Sequence, residues 1–182
     1  MRHRSGIPLR AVAAVSDRRF RSGCKTSVPE RLRRLSPVFQ RRPIYFVTCC
    51  TAKRQQFLAT KEAHQTFVKF AQSGEAFGAF IGRYVIMPDH LHLFVSFDEE
   101  RINLSRWMKA LEGSLSAWFR NRHFDPPFWQ KGFFDHVLRS AESYEEKWHY
   151  VRDNPARAGL VPTWEAWPYA GEIFDLEFRA EL

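Results

Sequence analysis

The sequence predicts an α+β domain on the ferredoxin-like plan, an antiparallel sheet of split βαβ type with one extra helix at its C-terminal end. Three observations predict it. Runs of strand and helix character follow the order β-α-β-β-α-β-α between residues 43 and 154. Two strand runs are joined by a tight Pro88-Asp89 turn, which sets a hairpin in the middle of that order. The two helical segments between strands carry their apolar residues on one side, so the plan covers one face of the sheet and leaves the other partly free.

Each element has its own reason. "PIYFVTCCT" (43–51) is β-branched and aromatic, hence a strand. "TKEAHQTFVKFAQSG" offers Thr60 as N-cap, apolar Ala63, Phe67, Phe70 and Ala71 at helical spacing, and a stop near Gly74. "FGAFIGRYVIM" (77–87) and "HLHLFVSF" (90–97) form the hairpin. "INLSRWMKALEGSLSAWFRNR" places Leu104, Trp107, Met108, Leu111, Leu115, Trp118 and Phe119 on one stripe. "PPFWQKGFFDHVLRS" reads as a short strand after a proline turn. The last helix opens at Ser140 or Ser143, with acids in its first turn, and runs to about Asn154, because Pro155 restricts its predecessor. The remainder, "PTWEAWPYAGEIFDLEFRAEL", has no periodicity to read.

Composition bounds the function. A chain of 182 residues with 45% hydrophobic and 15% aromatic residues can bury one core. No apolar run reaches the roughly 18 residues of a membrane helix. Cys24, Cys49 and Cys50 form no CxxC pair, which suits reduced thiols in a cytoplasmic protein. The net charge of +8 is local: residues 1–34 hold ten of the 28 Lys+Arg and two of the 20 acids, so the remainder is balanced. Three parts follow: a basic, aperiodic arm (1–34), a domain (35–170) and a C-terminal tail (171–182). The arm suits non-specific phosphate binding; a stretch appended by an upstream start codon, or a transit peptide, has the same composition.

Within "MPDHLHLFVSF" (87–97), His90 and His92 lie two apart on a strand, so both point to one side, about 6.6 Å apart along the axis. Leu91, Leu93 and Val95 then face the helices. Two neutral imidazoles on one face can share a cation; two hydrogen-bonded strand histidines are the plain alternative. In "EEKWHYVRDNPARAGLV", Tyr150 and Asn154 are four apart and therefore share a helix face. An amide oxygen is a hard neutral ligand and a tyrosine hydroxyl is a potential nucleophile; packing and helix termination explain the same residues without chemistry.

"YVIMPDHLHLFVSF", "FWQKGFFDHVLRS" and "HYVRDNPARAGLV", in this order and spacing, together resemble the single-tyrosine HUH transposases (U being a bulky apolar residue), in particular the branch of REP-associated tyrosine transposases. The resemblance runs from about Leu35 through "AWPYAG" at 166–171 and leaves out the arm. It implies that His90, His92 and Asn154 hold a divalent metal, Mg2+ or Mn2+, with Zn2+ able to substitute in vitro. It implies that Tyr150 is the nucleophile and forms a 5′-phosphotyrosine link. Its implied substrate is single-stranded DNA beside an imperfect hairpin, and its implied setting is the bacterial cytoplasm, at the nucleoid when bound to DNA. Lys131, Arg139, Arg152 and Arg157 are candidates for backbone contacts, Trp129 and Trp148 for base stacking or core packing, and His136 for DNA contact or packing. Asp89, Asp153 and a metal-bound water are candidate general bases. Monomer and homodimer both remain open.

Two other classes compete. A DNA-hairpin-binding protein or domesticated nuclease without transposition would keep the domain, although the retained Tyr150, His90, His92 and Asn154 favour activity. A barrel-type zinc hydrolase also uses an HxH strand, but needs about 250 residues and further ligands.

Overall fold

The computed structural model describes residues 42–176; the arm at 1–34 and residues 177–182 of the tail lie outside the described residues. Five strands form one antiparallel sheet: β1 (Ile44–Cys50), β2 (Ala79–Ile86), β3 (His90–Phe97), β4 (Phe134–Leu138) and β5 (Ala170–Glu172). Their spatial order is β4-β1-β3-β2-β5. The first four reproduce the split βαβ order, with the HxH strand β3 at the centre as expected.

The caps predicted at Thr60 and Ser140 operate, and a third, at Asn103, joins them. Helix α1 (Lys61–Ser73) starts at Thr60, whose side chain accepts from the Ala63 amide. Helix α2 (Leu104–Asn121) starts at Asn103, which accepts from Arg106. Helix α3 (Ala141–Arg152) starts at Ser140, in a reciprocal capping box with Ser143. A short turn of helix, α4 (Asn154–Arg157), follows after a break at Asp153, with Pro155 accommodated in its first turn, where no amide hydrogen is needed.

One face of the sheet packs on α1 and α2. Leu91, Leu93 and Val95 of β3 meet Phe67, Trp107, Leu111 and Phe119, all buried. The opposite face is less open than the sequence suggested. Ile44, Phe46, Val85, Met87, Phe94 and Leu138 form a second, smaller cluster there with Tyr144 and Val151 of α3. The apolar positions of α3 are few, and only the sheet beneath gives them a partner.

A bulge in β2, between Ile81 and Tyr84, shifts the register against β3 by one residue. Ile81 and Tyr84 therefore both belong to the main core, and Val85 turns to the α3 side. Strand β5 was not legible in the sequence. It crosses the 170/171 limit assigned to the tail, and the amides of Ile173 and Phe174 still donate to Gly82 and Ile81. Gly171 stands opposite Tyr84, where a Cβ would lie 2.8 Å from the phenol oxygen, so glycine lets β5 close on β2.

Candidate active site

His90 and His92 emerge from the α3 side of β3, with ring centroids 4.8 Å apart and planes nearly perpendicular at 86°. Strand β1 supplies the neighbours, since Thr48 pairs with His92 and Cys50 with His90 in the register. Phe46 stacks on His92 at 5.5 Å. His92 is 9% exposed.

Both imidazoles are oriented through Nδ1. His90 Nδ1 lies 2.6 Å from Asp89 Oδ1, and His92 Nδ1 lies 2.8 Å from Thr48 Oγ1. Burial pushes the Asp89 carboxyl up, but the bond from His90 and the charge of Arg54 outweigh it, so the group sits below its ordinary value and stays ionised. An ionised carboxylate only accepts, so His90 Nδ1–H donates. Asn154 Nδ2 approaches His92 Nε2 at 3.0 Å; the amide donates there, so His92 also carries its proton on Nδ1, tautomers being assigned from these partners. Burial, and then the charges of His90, Arg54, Lys147 and Arg157, hold His92 well below the usual histidine range, so it is neutral. The two rings thus lie side by side with Nδ1 of each engaged, as acceptors at Nδ1 orient histidines in metal sites.

These groups suit a divalent cation. Two imidazoles side by side are nitrogen donors, and the Asn154 amide, turned over, would offer its oxygen in place of its nitrogen. No group of three His, Cys, Asp or Glu residues able to hold a metal occurs among the described residues; the side chain at 3.0 Å from His92 Nε2 is the Asn154 amide.

Tyr150 sits one turn before Asn154 and is 40% exposed. The Arg157 guanidinium lies 4.2 Å from its ring centroid and also donates to Asn154 Oδ1. Tyr150, Arg157, Asn154 and His92 therefore form one chain of contacts. The rival tyrosines lie elsewhere. Tyr144 is buried in the smaller core, its phenol pushed up to about 12 by that burial, and Tyr169 packs on His64 and Trp167.

Of the other candidates, Arg157 is in the site. Lys131 and Arg139 are exposed just before and just after β4. Arg152 is half-buried over the Trp164 ring, with Asp153 3.6 Å away. Trp129 donates its indole N–H to the Glu112 carbonyl and Ser116 hydroxyl, and Trp148 meets Phe94 and the Arg83 guanidinium, so packing accounts for both. His136 is exposed on β4 and lines an open cleft of about 350 Å³ between β4 and α3, together with Leu138, Ser143, Glu146, Lys147 and Tyr150.

Sequence reading missed Thr48, Arg54 and Lys147. Arg54 follows Lys53 through two left-handed residues, φ 58° and 53°, and its guanidinium reaches Asp89 Oδ2 at 2.8 Å and Cys50 Sγ at 2.9 Å. Burial raises the Cys50 thiol despite that cation, so it stays protonated. Lys147 had a signal that could have found it, being three residues before Tyr150 and so on the same helix face. Thr48 and Arg54 had none, because strand register and a left-handed turn bring them in.

A family model described as "Transposase IS200 like" matches residues 41–154, the span that holds His90, His92, Tyr150 and Asn154. A Haemophilus influenzae protein provisionally named REP-associated tyrosine transposase is 23% identical over 154 residues, covering 79% of this chain and 86% of its own. Among solved structures, a REP-associated tyrosine transposase bound to a REP hairpin is similar with a TM-score of 0.58 and 21% identity, covering 70% of this chain and 75% of that one, a likeness of fold.

Proposed function

The chain belongs to the IS200-like transposase family, and from that premise we propose that it cleaves and rejoins single-stranded DNA beside hairpins through a covalent tyrosine intermediate, as a metal-dependent enzyme. The observation that carries the reading is the approach of Asn154 to His92 at 3.0 Å. It joins the central strand to the turn of helix that follows the helix of the candidate nucleophile, with the buried His92 imidazole held neutral.

In this reading His90, His92 and Asn154 hold a divalent cation, Mg2+ or Mn2+, whose chemistry when bound is to draw electron density from a phosphate oxygen. Asp89 and Thr48 fix the imidazoles, and Arg54 fixes Asp89. Arg157 holds the Tyr150 ring and the Asn154 amide in one arrangement. The Tyr150 hydroxyl attacks phosphorus in line, and its proton passes to solvent at the exposed ring. The bond to the upstream 3′ oxygen breaks, leaving a free 3′ hydroxyl and a 5′-phosphotyrosine. A second 3′ hydroxyl reverses the step on a new strand, so one phosphodiester is exchanged for another and no nucleotide hydrolysis is needed. The sequence has no GxxxxGK[ST] loop, in agreement. The hairpin carried by the solved relative supports a hairpin substrate. The bacterial relative fits a bacterial setting.

The test is a 3′-labelled, hairpin-flanked single strand incubated with Mn2+, Mg2+ or EDTA and run on a denaturing gel. A labelled band retarded by the mass of the protein is expected with either metal and absent with EDTA. Cleavage without any retarded band would overturn the covalent step, and a band that persists in EDTA would overturn the metal.

A further inference from the structure

Strand β4 is an edge of the sheet, and its pairing with β1 places Phe134 opposite Thr48 and His136 opposite Phe46. Thr48 is in turn opposite His92. Phe134, Thr48 and His92 therefore form one row across the α3 side of the sheet. Phe134 is 52% exposed, and its ring meets Phe46 edge-on at 6.4 Å, while Phe46 stacks on His92. An open aromatic surface thus continues directly from the histidine pair. The cleft of about 350 Å³ runs along the same strand to Tyr150, near the small end of ligand-sized cavities.

The charges there are mixed. Lys147 lies over Phe46 at 5.4 Å, and Glu146 lines the cleft. A carboxylate inside disfavours a phosphate, whereas it accepts from the amino edge of a base. Lys147, on the side of the histidines, suits the phosphate attached to it.

We propose that the exposed ring of Phe134, two residues before the cleft residue His136 on β4, is the platform of a nucleobase subsite, which stacks one unpaired base next to the attacked phosphate beside the cleft. The inference rests on the single-strand reading above and deepens it. A paired base keeps its faces in the stack, so the subsite selects unpaired DNA, as exposed aromatic platforms do. His136 flanks the base on the strand side, and Glu146 meets its amino edge from α3.

The experiment measures binding of the full chain to a 12-nucleotide oligo(dC) and to an abasic strand with the same number of phosphates, at one salt concentration. Phosphate contacts cancel in the ratio. The wild type should prefer oligo(dC) by roughly tenfold, within the range for stacking of one base. Phe134→Leu should bring the ratio close to one, and Phe134→Tyr should keep it. Equal ratios in wild type and Phe134→Leu, or no preference in the wild type, would overturn the subsite. Loss of preference in Phe134→Tyr as well would also overturn it, since the ring is retained. Covalent capture separates the two readings. A Phe134-dependent base preference without adduct leaves the subsite standing and removes strand transfer. An adduct whose base preference ignores Phe134 does the reverse.

Discussion

Thr48 and His92 face each other across β1 and β3, and the His92 Nδ1–H donates to the threonine hydroxyl at 2.8 Å. This bond sends the Nε2 lone pair toward Asn154 and sets which nitrogen can take a cation. Thr48→Val keeps the shape and β-branching of the residue and deletes only the acceptor. The fold should persist, and the Mn2+ concentration needed for half-maximal cleavage should rise by roughly 10- to 100-fold, the usual effect of removing such a partner. A metal titration of the cleavage rate checks it. His92→Ala should abolish cleavage at any metal concentration while hairpin binding, measured by gel shift, largely survives.

Tyr150→Phe deletes one hydroxyl from a ring that is 40% exposed and lies beneath Arg157. Stability should change by no more than about 0.5 kcal/mol, as for most surface substitutions, and the covalent adduct should vanish. An adduct formed by the Phe variant would transfer the role to another residue.

Asn154 reaches His92 of the same molecule, so one chain can bring these two residues together. Mixing inactive Tyr150→Phe with inactive His92→Ala should therefore restore no cleavage. Recovery of up to a quarter of the activity, the share expected from randomly mixed shared sites, would mean that neighbouring chains exchange the tyrosine helix.

Glu112 on α2 has its carboxyl pushed by burial from 4.5 up to about 7. The folded state then holds a proton between pH 4.5 and 7 that the unfolded chain has released. Stability should fall as pH rises through that window and stay at the lower level above it. Glu112→Gln should flatten the slope and gain about 1–2 kcal/mol at pH 8, a figure reduced for the partial exposure of the group. Urea unfolding at pH 5 and pH 8 measures it.

Deleting residues 1–34 removes ten Lys+Arg and two acids, which is the whole net charge of +8. Binding to single strands should weaken at low salt, and its dependence on salt should become shallower. Hairpin preference over an unstructured strand should be retained, as shown by competition at fixed ionic strength.

The order of elements was legible because α1 announces itself through its cap and stripe, α2 through its one-sided stripe, and β3 through a largely apolar run bounded by Pro88-Asp89 and Asp98. The histidine pair was legible as a shared face, because strand geometry alone fixes that. What surrounds it was not. Thr48 becomes a partner of His92 only through the β1–β3 register, and nothing local in "YFVTCC" marks it. Arg54 reaches Asp89 through a left-handed turn that its non-glycine sequence conceals. The three residues of β5 are too few for alternation to show, and the bulge at Ile81/Tyr84 reverses which side of β2 faces which core. The second core escaped notice because α3 spends most of its surface on charged residues, with Tyr144 and Val151 buried beneath.

The site residues are widely spaced along the chain: Thr48, then His90 and His92, and only later Tyr150, Asn154 and Arg157. Synthesis proceeds in that direction, so the ribosome delivers the histidine strand and its threonine long before Tyr150. An interrupted translation product ending anywhere in β4 would own three inner strands and both imidazoles, yet lack Tyr150, Asn154 and Arg157. Proteolysis in the exposed segment after Asn121 would likewise leave Thr48, His90 and His92 on one piece and Tyr150, Asn154 and Arg157 on the other.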